Sequence, residues 1–360
     1  MNLKKISSIL LALLLVVSMI GCASKEGPGS SEKAEEAPAA TEAEAPKEAE
    51  AAPEEGDKQI KIGMATFMMA QEWYQNIVAG GQVKADELGV ELIVADANND
   101  SAKQVEMIEN LISQNVDAII ISPVDAKALV GVVKKAQDAG IKVICESNMV
   151  EGADTRVGVS DRESGIICGE WYAEYAKANN IDPKILILGY QSLENCQNRS
   201  EGFKEGMDNA GLEYEVVIEV DGGFREESMN AATDAFTAHP DINTVFGIND
   251  DSTLGAMSAI KQAGLEDKGI TTILYGLEGV AGRGALKNDE LATAGLSTFA
   301  EYVGNTCIKA AMDAIAGEEL PEEYISPSVV LDKTNFDEYF TENGDTFDVN
   351  FAAVDKLVEQ

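Results

Sequence analysis

From Ile60 onward the chain alternates short apolar β-rich runs with stretches of helical periodicity, and keeps doing so to about residue 316. The first half holds "IKIGMA" (60–65), "VELIVA" (90–95), "DAIIIS" (117–122) and "KVICE" (142–146). Helical patterns near 73–88, 102–115 and 126–139 separate these runs, and Gly89 and Gly140 stand where two helices should stop. The second half repeats the texture with "KILILG" (184–189), "YEVVIEV" (214–220), "TVFGI" (244–248) and "TTILYG" (271–276). Its helical patterns fall near 162–179, 197–210, 225–238 and 250–263, followed by "LATAGLS", a helix near 299–316 and "ISPSVVL". The strand runs are continuously apolar rather than alternating. That pattern predicts parallel strands covered by helices on both faces. The expected fold is α/β, with two doubly wound, Rossmann-like lobes. Ligands in such sheets bind beyond the carboxyl ends of the strands. The informative residues should therefore follow strands, in "TFMMAQEWYQN", "ESN", "YQSLENCQNR", "GINDDS" and "YGLEG".

Charge and composition remove several function classes. The formal net charge is −36, from 27 basic and 63 acidic residues, and no basic cluster follows Lys5. Nucleic acid and anionic surfaces both need a basic patch, so neither is an expected partner. The single histidine, His239 in "TAHPDI", reads as a helix-end residue before Pro240. Most imidazole-based catalysis and His-rich metal sites are thereby excluded. Cys145, Cys168, Cys196 and Cys307 are widely spaced without a C-x-x-C pair, and read as buried free thiols, with a disulfide the alternative outside the cytosol. No metal or cofactor is expected. "GVAGRGAL" lacks the third glycine and the placement of a dinucleotide loop.

The N-terminus has a different texture. Lys4 and Lys5 precede "ISSILLALLLVVSMI", too short for a comfortable membrane span. Residues 1–21 read as a signal segment, and "MIGC" resembles the bacterial lipobox, with Met19 in place of the usual Leu and Cys22 as the lipidated residue. Residues 23–57 carry eleven acids and three lysines with no aromatic. Such a stretch cannot offset its ordering entropy and is expected to serve as a disordered linker. An acidic chain needs a tether to stay at a membrane, and acyl chains on Cys22 would provide one. The expected location is the extracytoplasmic face of the cell membrane.

The strand-end segments resemble the periplasmic sugar-binding proteins of the ribose and galactose type, the binding subunits of ABC importers. The resemblance runs from about Lys58 to Asp332. Its marks are "WYQNIVAGGQVKADELG", "ISPVDAKAL", "NRSEGFKEGM", "AHPDINTVFGINDDSTLGAMSAI" and "LATAGLS". It implies that Trp73 and Tyr74 hold a sugar ring, with Gln71 a polar contact beside them. It implies ligand contacts from Glu146 after the fourth strand, Arg199 before "EGF", and Phe224 on the far face. Asn249 would bond hydroxyls, and Glu278 stands in "GLEG" where the family has "GFDG". Thr298 takes the place of an amide, and Asn195 is a further polar candidate from the Arg199 loop. The resemblance also implies a three-segment hinge near Ser160, Thr298 and Ser326. Lobe I would then be 58–160 plus 299–325, lobe II 161–298 plus 326–345, and 346–360 a C-terminal tail. Asp161 and Arg162 are read as hinge and helix-start residues, with Asp161 suited to an N-cap. "INDDS" offers three capping candidates, which leaves Asn249 free to bond a ligand.

Sugars present many hydroxyls and an apolar CH face. Carboxylate, amide and guanidinium groups beside an aromatic plate are the side chains that match them. The sequence departs from the ribose pattern at Ser147, where that type has an arginine, and both acids are Glu rather than Asp. A larger hexose, a polyol or an amino sugar would suit the longer acids. The expected function is capture of a monosaccharide or polyol between two lobes, by a monomer that delivers it to an ABC permease and its ATPase. No chemistry on the ligand is required. The alternative is a sugar or autoinducer receptor feeding a membrane sensor. A transcription regulator of the same fold would need a basic helix-turn-helix where the acidic linker stands. An enzyme would need a nucleophile–base pair.

Overall fold

The computed structural model describes residues 59–358. The signal segment, Cys22 and the acidic linker lie outside the described residues. So do residues 359 and 360.

The first part of the chain winds one sheet. Its elements are β1 (Lys61–Thr66), α1 (Glu72–Leu88), β2 (Glu91–Asp96), α2 (Ser101–Ser113), β3 (Ala118–Ile121) and α3 (Ala126–Asp138). Then come β4 (Lys142–Glu146) and β5 (Thr155–Gly158). The chain crosses over and builds the second sheet, starting with α4 (Asp161–Asn179), β6 (Lys184–Gly189), α5 (Glu194–Asn209) and β7 (Glu215–Asp221). It continues through α6 (Arg225–Ala238), β8 (Thr244–Gly247), α7 (Asp250–Ala263), β9 (Thr271–Gly276), α8 (Val280–Asn288) and β10 (Ala292–Ser297). It returns to the first sheet with α9 (Ala300–Ala316) and β11 (Glu323–Ile325), then crosses once more to β12 (Val329–Leu331). Last come α10 (Phe336–Tyr339), the strands β13 (Phe340–Asn343) and β14 (Thr346–Val349), and α11 (Phe351–Val358).

The first sheet has the order β11-β5-β4-β3-β1-β2 and every pairing is parallel. The second has the order β12-β10-β9-β8-β6-β7 and is parallel except for β12, which runs antiparallel to β10. This is the expected two-lobe α/β architecture, with an antiparallel edge strand added.

The apolar strands have a packing cause. Ile62, Met64, Ile120 and Ile144 face α1 and α9, while Ile119, Ile121 and Val143 face α2 and α3. In the second sheet, Ile185, Ile187 and Phe246 face α4 and α5, and Leu186, Leu188 and Val245 face α6 and α7. The inner strands are therefore buried on both faces, and polar alternation there would strand groups without water.

Small residues let helices approach closely where the site needs a firm base. A Cβ on Gly80 of α1 would fall 1.8 Å from the Glu301 carbonyl oxygen, and one on Gly304 of α9 would fall 1.9 Å from that of Ile77. Backbone cannot yield as a side chain tip can, so these positions require glycine. The contact clamps α1, which carries Trp73 and Tyr74, onto α9.

The three crossings lie side by side. Ser326 N–H donates to the Gly158 carbonyl at 2.7 Å, and Ser326 Oγ donates to the Thr298 carbonyl at 3.2 Å. Ser160 is the N-cap residue of α4, so Asp161 is the first helical residue and not the cap.

Residues 346–358, expected as part of a tail, are structured. They form β14, paired antiparallel with β13, and α11, with Ala353 and Val354 buried against Phe336, Tyr339 and Phe340. The sequence reading had no strand at 155–158 and no helix at 280–288 either. Among the described residues no helix is long and apolar enough to cross a membrane.

Candidate functional site

Both sheets turn the carboxyl ends of their strands toward a common cleft, and the backbone there is unusual. Ser147 follows β4 with φ 67°, Leu277 follows β9 with φ 48°, and Phe299 follows β10 with φ 51°. Non-glycine residues in the left-handed region cost of order 1 kcal/mol or more each and gather where a site over-determines the backbone. Two of the three turns directly neighbour the candidate acids Glu146 and Glu278.

On the first lobe, α1 starts at the cleft. Gln71 is its exposed N-cap residue, and its side chain makes no capping bond. Trp73 and Tyr74 follow, half-buried, with their inner faces on the core that backs β1. Tyr74 stacks on Phe67, ring centroids 5.4 Å apart. Trp73 Nε1 donates to Glu146 Oε1 at 3.3 Å. Glu146 is 0% exposed, and its second oxygen, Oε2, has no hydrogen-bond partner among the described residues. Burial pushes the Glu146 carboxyl up to about 7, against the opposing pull of Ser122, Trp73 and the more distant Arg156. The Ser122 hydroxyl stands near but outside good hydrogen-bonding geometry, and is itself buried without a partner. Ser147, where the ribose type carries arginine, is exposed, and its carbonyl accepts from Arg156 Nη1 at 2.9 Å.

The second lobe is more self-contained. Arg199 Nε donates to Asp161 Oδ1 at 2.7 Å, and its Nη1 donates to the Ile248 carbonyl at 3.0 Å. Its guanidinium lies over the Tyr275 ring, 4.8 Å from the centroid. Burial works against the guanidinium charge, yet Asp161 beside it more than compensates and raises its pKa. Asp161 is thus the counter-ion of Arg199.

Asn249 corrects an expectation. It is the cap of α7: its Oδ1 accepts from Ser252 N–H at 2.8 Å and its Nδ2 donates to the Gly223 carbonyl at 3.0 Å. Asp250, Asp251 and Ser252 are the spare caps that the sequence offers. Asp250 instead accepts from the backbone N–H groups of Leu277 and Glu278, at 3.2 and 2.9 Å, and so holds the strained turn. Asp251 pairs with Arg225 at 2.8 Å on the surface.

Glu278 is half-buried at the tip of that turn. Burial pushes its carboxyl up to about 7; Arg199 pulls it down and Glu72 pushes it further up. Burial and the neighbouring Glu278 raise Asp250 to about 8. The two lobes touch here: Asn76 Nδ2 donates to the Glu278 carbonyl. A Cβ on Gly279 would collide with the Glu72 carboxylate. Burial, then Glu146, then Glu278 raise the pKa of Tyr74, so this phenol lies within electrostatic reach of the acids of both lobes.

Trp73, Tyr74, Glu146, Arg199, Asn249 and Glu278 thus line one region. Phe224, at the N-cap of α6, is 64% exposed and sits edge-on to Tyr190 at 6.2 Å. Asn195 is exposed in the first turn of α5. Thr298 is 2% exposed and belongs to a crossing, its N–H directed to the Gly276 carbonyl at 3.4 Å. Glu72, Asn76 and Asp250 were missed by the sequence reading. For Asp250 the only signal was its place after a strand, which a capping role explained equally well. The four cysteines of the described residues are free and buried, and His239 is the C-cap residue of α6.

Two doubly wound lobes, three adjacent crossings and acids from both sides of one cleft define a two-lobe binding protein of type I architecture. The chain belongs to the periplasmic binding protein domain family, which residues 62–319 match. It is 27% identical over 267 residues to the ribose import binding protein RbsB of Salmonella typhimurium, covering 73% of this chain and 87% of that protein. A D-ribose/D-allose-binding protein of Pseudomonas aeruginosa is 36% identical over 174 residues, covering 46% of this chain and 53% of that one. Among solved structures, a solute binding protein from Bacillus halodurans with bound myo-inositol is similar, with TM-score 0.65 and 28% identity, covering 79% and 98% of the two chains. One from Actinobacillus succinogenes with bound D-allose has the same fold, with TM-score 0.69 and 24% identity, covering 78% and 100%. The family consists of substrate-binding transport proteins rather than enzymes, and its place is extracytoplasmic.

Proposed function

We propose that this protein captures a monosaccharide or related polyol between its two lobes and delivers it to an ABC permease. The buried, unpartnered Oε2 of Glu146 carries the reading. A buried carboxylate oxygen without a donor costs several kcal/mol, and a ligand hydroxyl or amine would satisfy it. Trp73 supplies both an aromatic face for the CH side of a ring and the hydrogen bond that aims Glu146. Glu278 and Arg199 approach from the other lobe. The relatives named for ribose and allose, and the neighbour with myo-inositol, support this ligand class.

Ser160, Thr298 and Ser326 act as the hinge between lobes 58–160 plus 299–325 and 161–298 plus 326–345. A ligand that touches both walls stabilises the closed form by the difference in its affinity for the two forms. Gln71, Asn195 and Phe224 form the rim and Thr298 the floor near the hinge. The protein acts as a monomer, lipid-anchored through Cys22 with residues 23–57 as its spacer.

A thermal-shift screen of monosaccharides, cyclitols and polyols tests the reading, because a ligand that binds only the folded chain raises its melting temperature by mass action. At least one member should raise it in the wild type and not in Trp73→Ala. A screen in which no member shifts the wild type contradicts the proposal.

A further inference from the structure

The charges of the cleft do not balance. Glu146 ends β4, Asp250 opens α7, Glu278 lies on the turn between β9 and α8, and Glu72 is in the first turn of α1. None of the four is in an ion pair among the described residues. The nearby cations are all committed. Arg199 holds Asp161 at 2.7 Å, Arg283 holds Glu301 at 2.8 Å, and Arg156 holds Glu323. Arg199 also spends Nη1 on the Ile248 carbonyl, and Arg283 spends Nε on that of Leu277. Arg156 sits on β5 and turns its other nitrogen to Ser147.

A neutral sugar can satisfy one oxygen of a carboxylate with a hydroxyl, but it brings no charge. It would leave Glu146, 0% exposed, either as a desolvated anion or as a protonated acid. An ammonium group satisfies both needs, since it donates three hydrogen bonds and carries the missing charge. An aromatic ring beside an acid also suits a cation, and Trp73 stands there with its indole N–H bonded to Glu146.

We propose that the ligand is a polyhydroxylated amine, an amino sugar or aminocyclitol, whose ammonium group donates to Glu146 Oε2 and faces Glu278 from the opposite lobe. The inference rests on the two-lobe solute-binding reading and names the ligand's chemistry within it. The hydroxyls of the ring fall to Arg199, Asn249 and the rim. Asp250 acts at one remove as a positioning residue, because it fixes the turn that carries Glu278.

The test is calorimetry on the full chain at pH 7.5 with matched pairs differing in one group. The pairs are D-glucosamine and D-glucose, D-galactosamine and D-galactose, D-allosamine and D-allose, and scyllo-inosamine and scyllo-inositol. N-Acetyl-D-glucosamine serves as an amine-masked control. For at least one pair the amine should bind ten-fold or more tightly than its hydroxyl parent, and acetylation should remove that advantage. In Glu146→Gln the advantage should fall below three-fold, with the circular dichroism melt confirming a folded variant. Asp250→Asn reports positioning: it should weaken the amine more than its parent, because the turn it loosens carries the Glu278 that faces the ammonium group. If a neutral parent binds as tightly as its amine or more so, the inference is overturned while solute binding stands. If no member of any pair binds, the inference is overturned, and the thermal-shift screen decides separately whether solute binding stands.

Discussion

On the first lobe's side of the cleft, Glu146 is wholly buried and keeps one oxygen unpaired, whereas on the second lobe's side Arg199 and Asn249 already hold internal partners. The difference separates two jobs. A wall with an unmet hydrogen-bonding need gains most when a ligand arrives, so its residues should dominate affinity. A wall whose polar groups are already satisfied gains less per contact, and its residues should matter more for the stability of the fold. The same contrast shows in the turns: Ser147 and Leu277 both adopt left-handed backbone, but only the Leu277 turn is braced by a carboxylate, that of Asp250.

The sharpest way to break this comparison is Trp73→Ala. It removes the aromatic face and the indole donor to Glu146, and should weaken binding by about 100-fold or more, a larger effect than on stability, read by calorimetry and a thermal melt. Arg199→Met should do the reverse. It strands Asp161 in a largely buried place, the two side chains being 15% and 20% exposed, and should cost about 3 kcal/mol of stability in a denaturant titration. Comparable affinity losses from both variants, at equal stability, would erase the distinction between the walls.

Glu146→Gln sharpens it from the other side. The carboxyl rises from its ordinary 4.5 to about 7 in the folded chain, so the folded state binds the proton more tightly than the unfolded one. The stability this group gives is therefore complete below about pH 4.5 and is lost as pH rises toward 7. Above pH 7 the ligand-free Gln variant should be more stable than the wild type by up to about 3 kcal/mol, yet bind ligand less well. Raised values at Glu278 and Asp250 act in the same direction, extending the fall to about pH 8. Smallest is Asn249→Ala, which should cost about 1 kcal/mol through the lost helix cap, with a modest effect on affinity.

The sheets were legible in the sequence because their cause is local. Strands buried on both faces leave continuous apolar runs, and 184–189, 271–276 and the helices 225–238 and 250–263 coincide with the expected bounds. What stayed hidden depends on partners distant in the chain. Trp73 and Glu146 are separated by 73 positions, and their hydrogen bond exists only because the start of α1 and the carboxyl end of β4 meet in the folded sheet. Asn249 was expected to be free because its neighbours could cap α7; Asp250 was drawn away by the Leu277 turn, which left the cap to Asn249. The strand at 155–158 escaped because Thr155 and Arg156 leave it no continuous apolar run, and α11 because its apolar face is complete only against Phe336, Tyr339 and Phe340.

The central claim is that Glu146 waits for a donor from the ligand. Carbon-13 NMR of side-chain carboxyls, with Glu146 assigned by its loss in Glu146→Gln, follows that group directly through a pH titration. Without ligand its resonance should titrate near 7, and with saturating ligand it should stay ionised to below pH 5 because the bound donor favours the charged form. A midpoint that does not move when ligand saturates the protein would contradict the account.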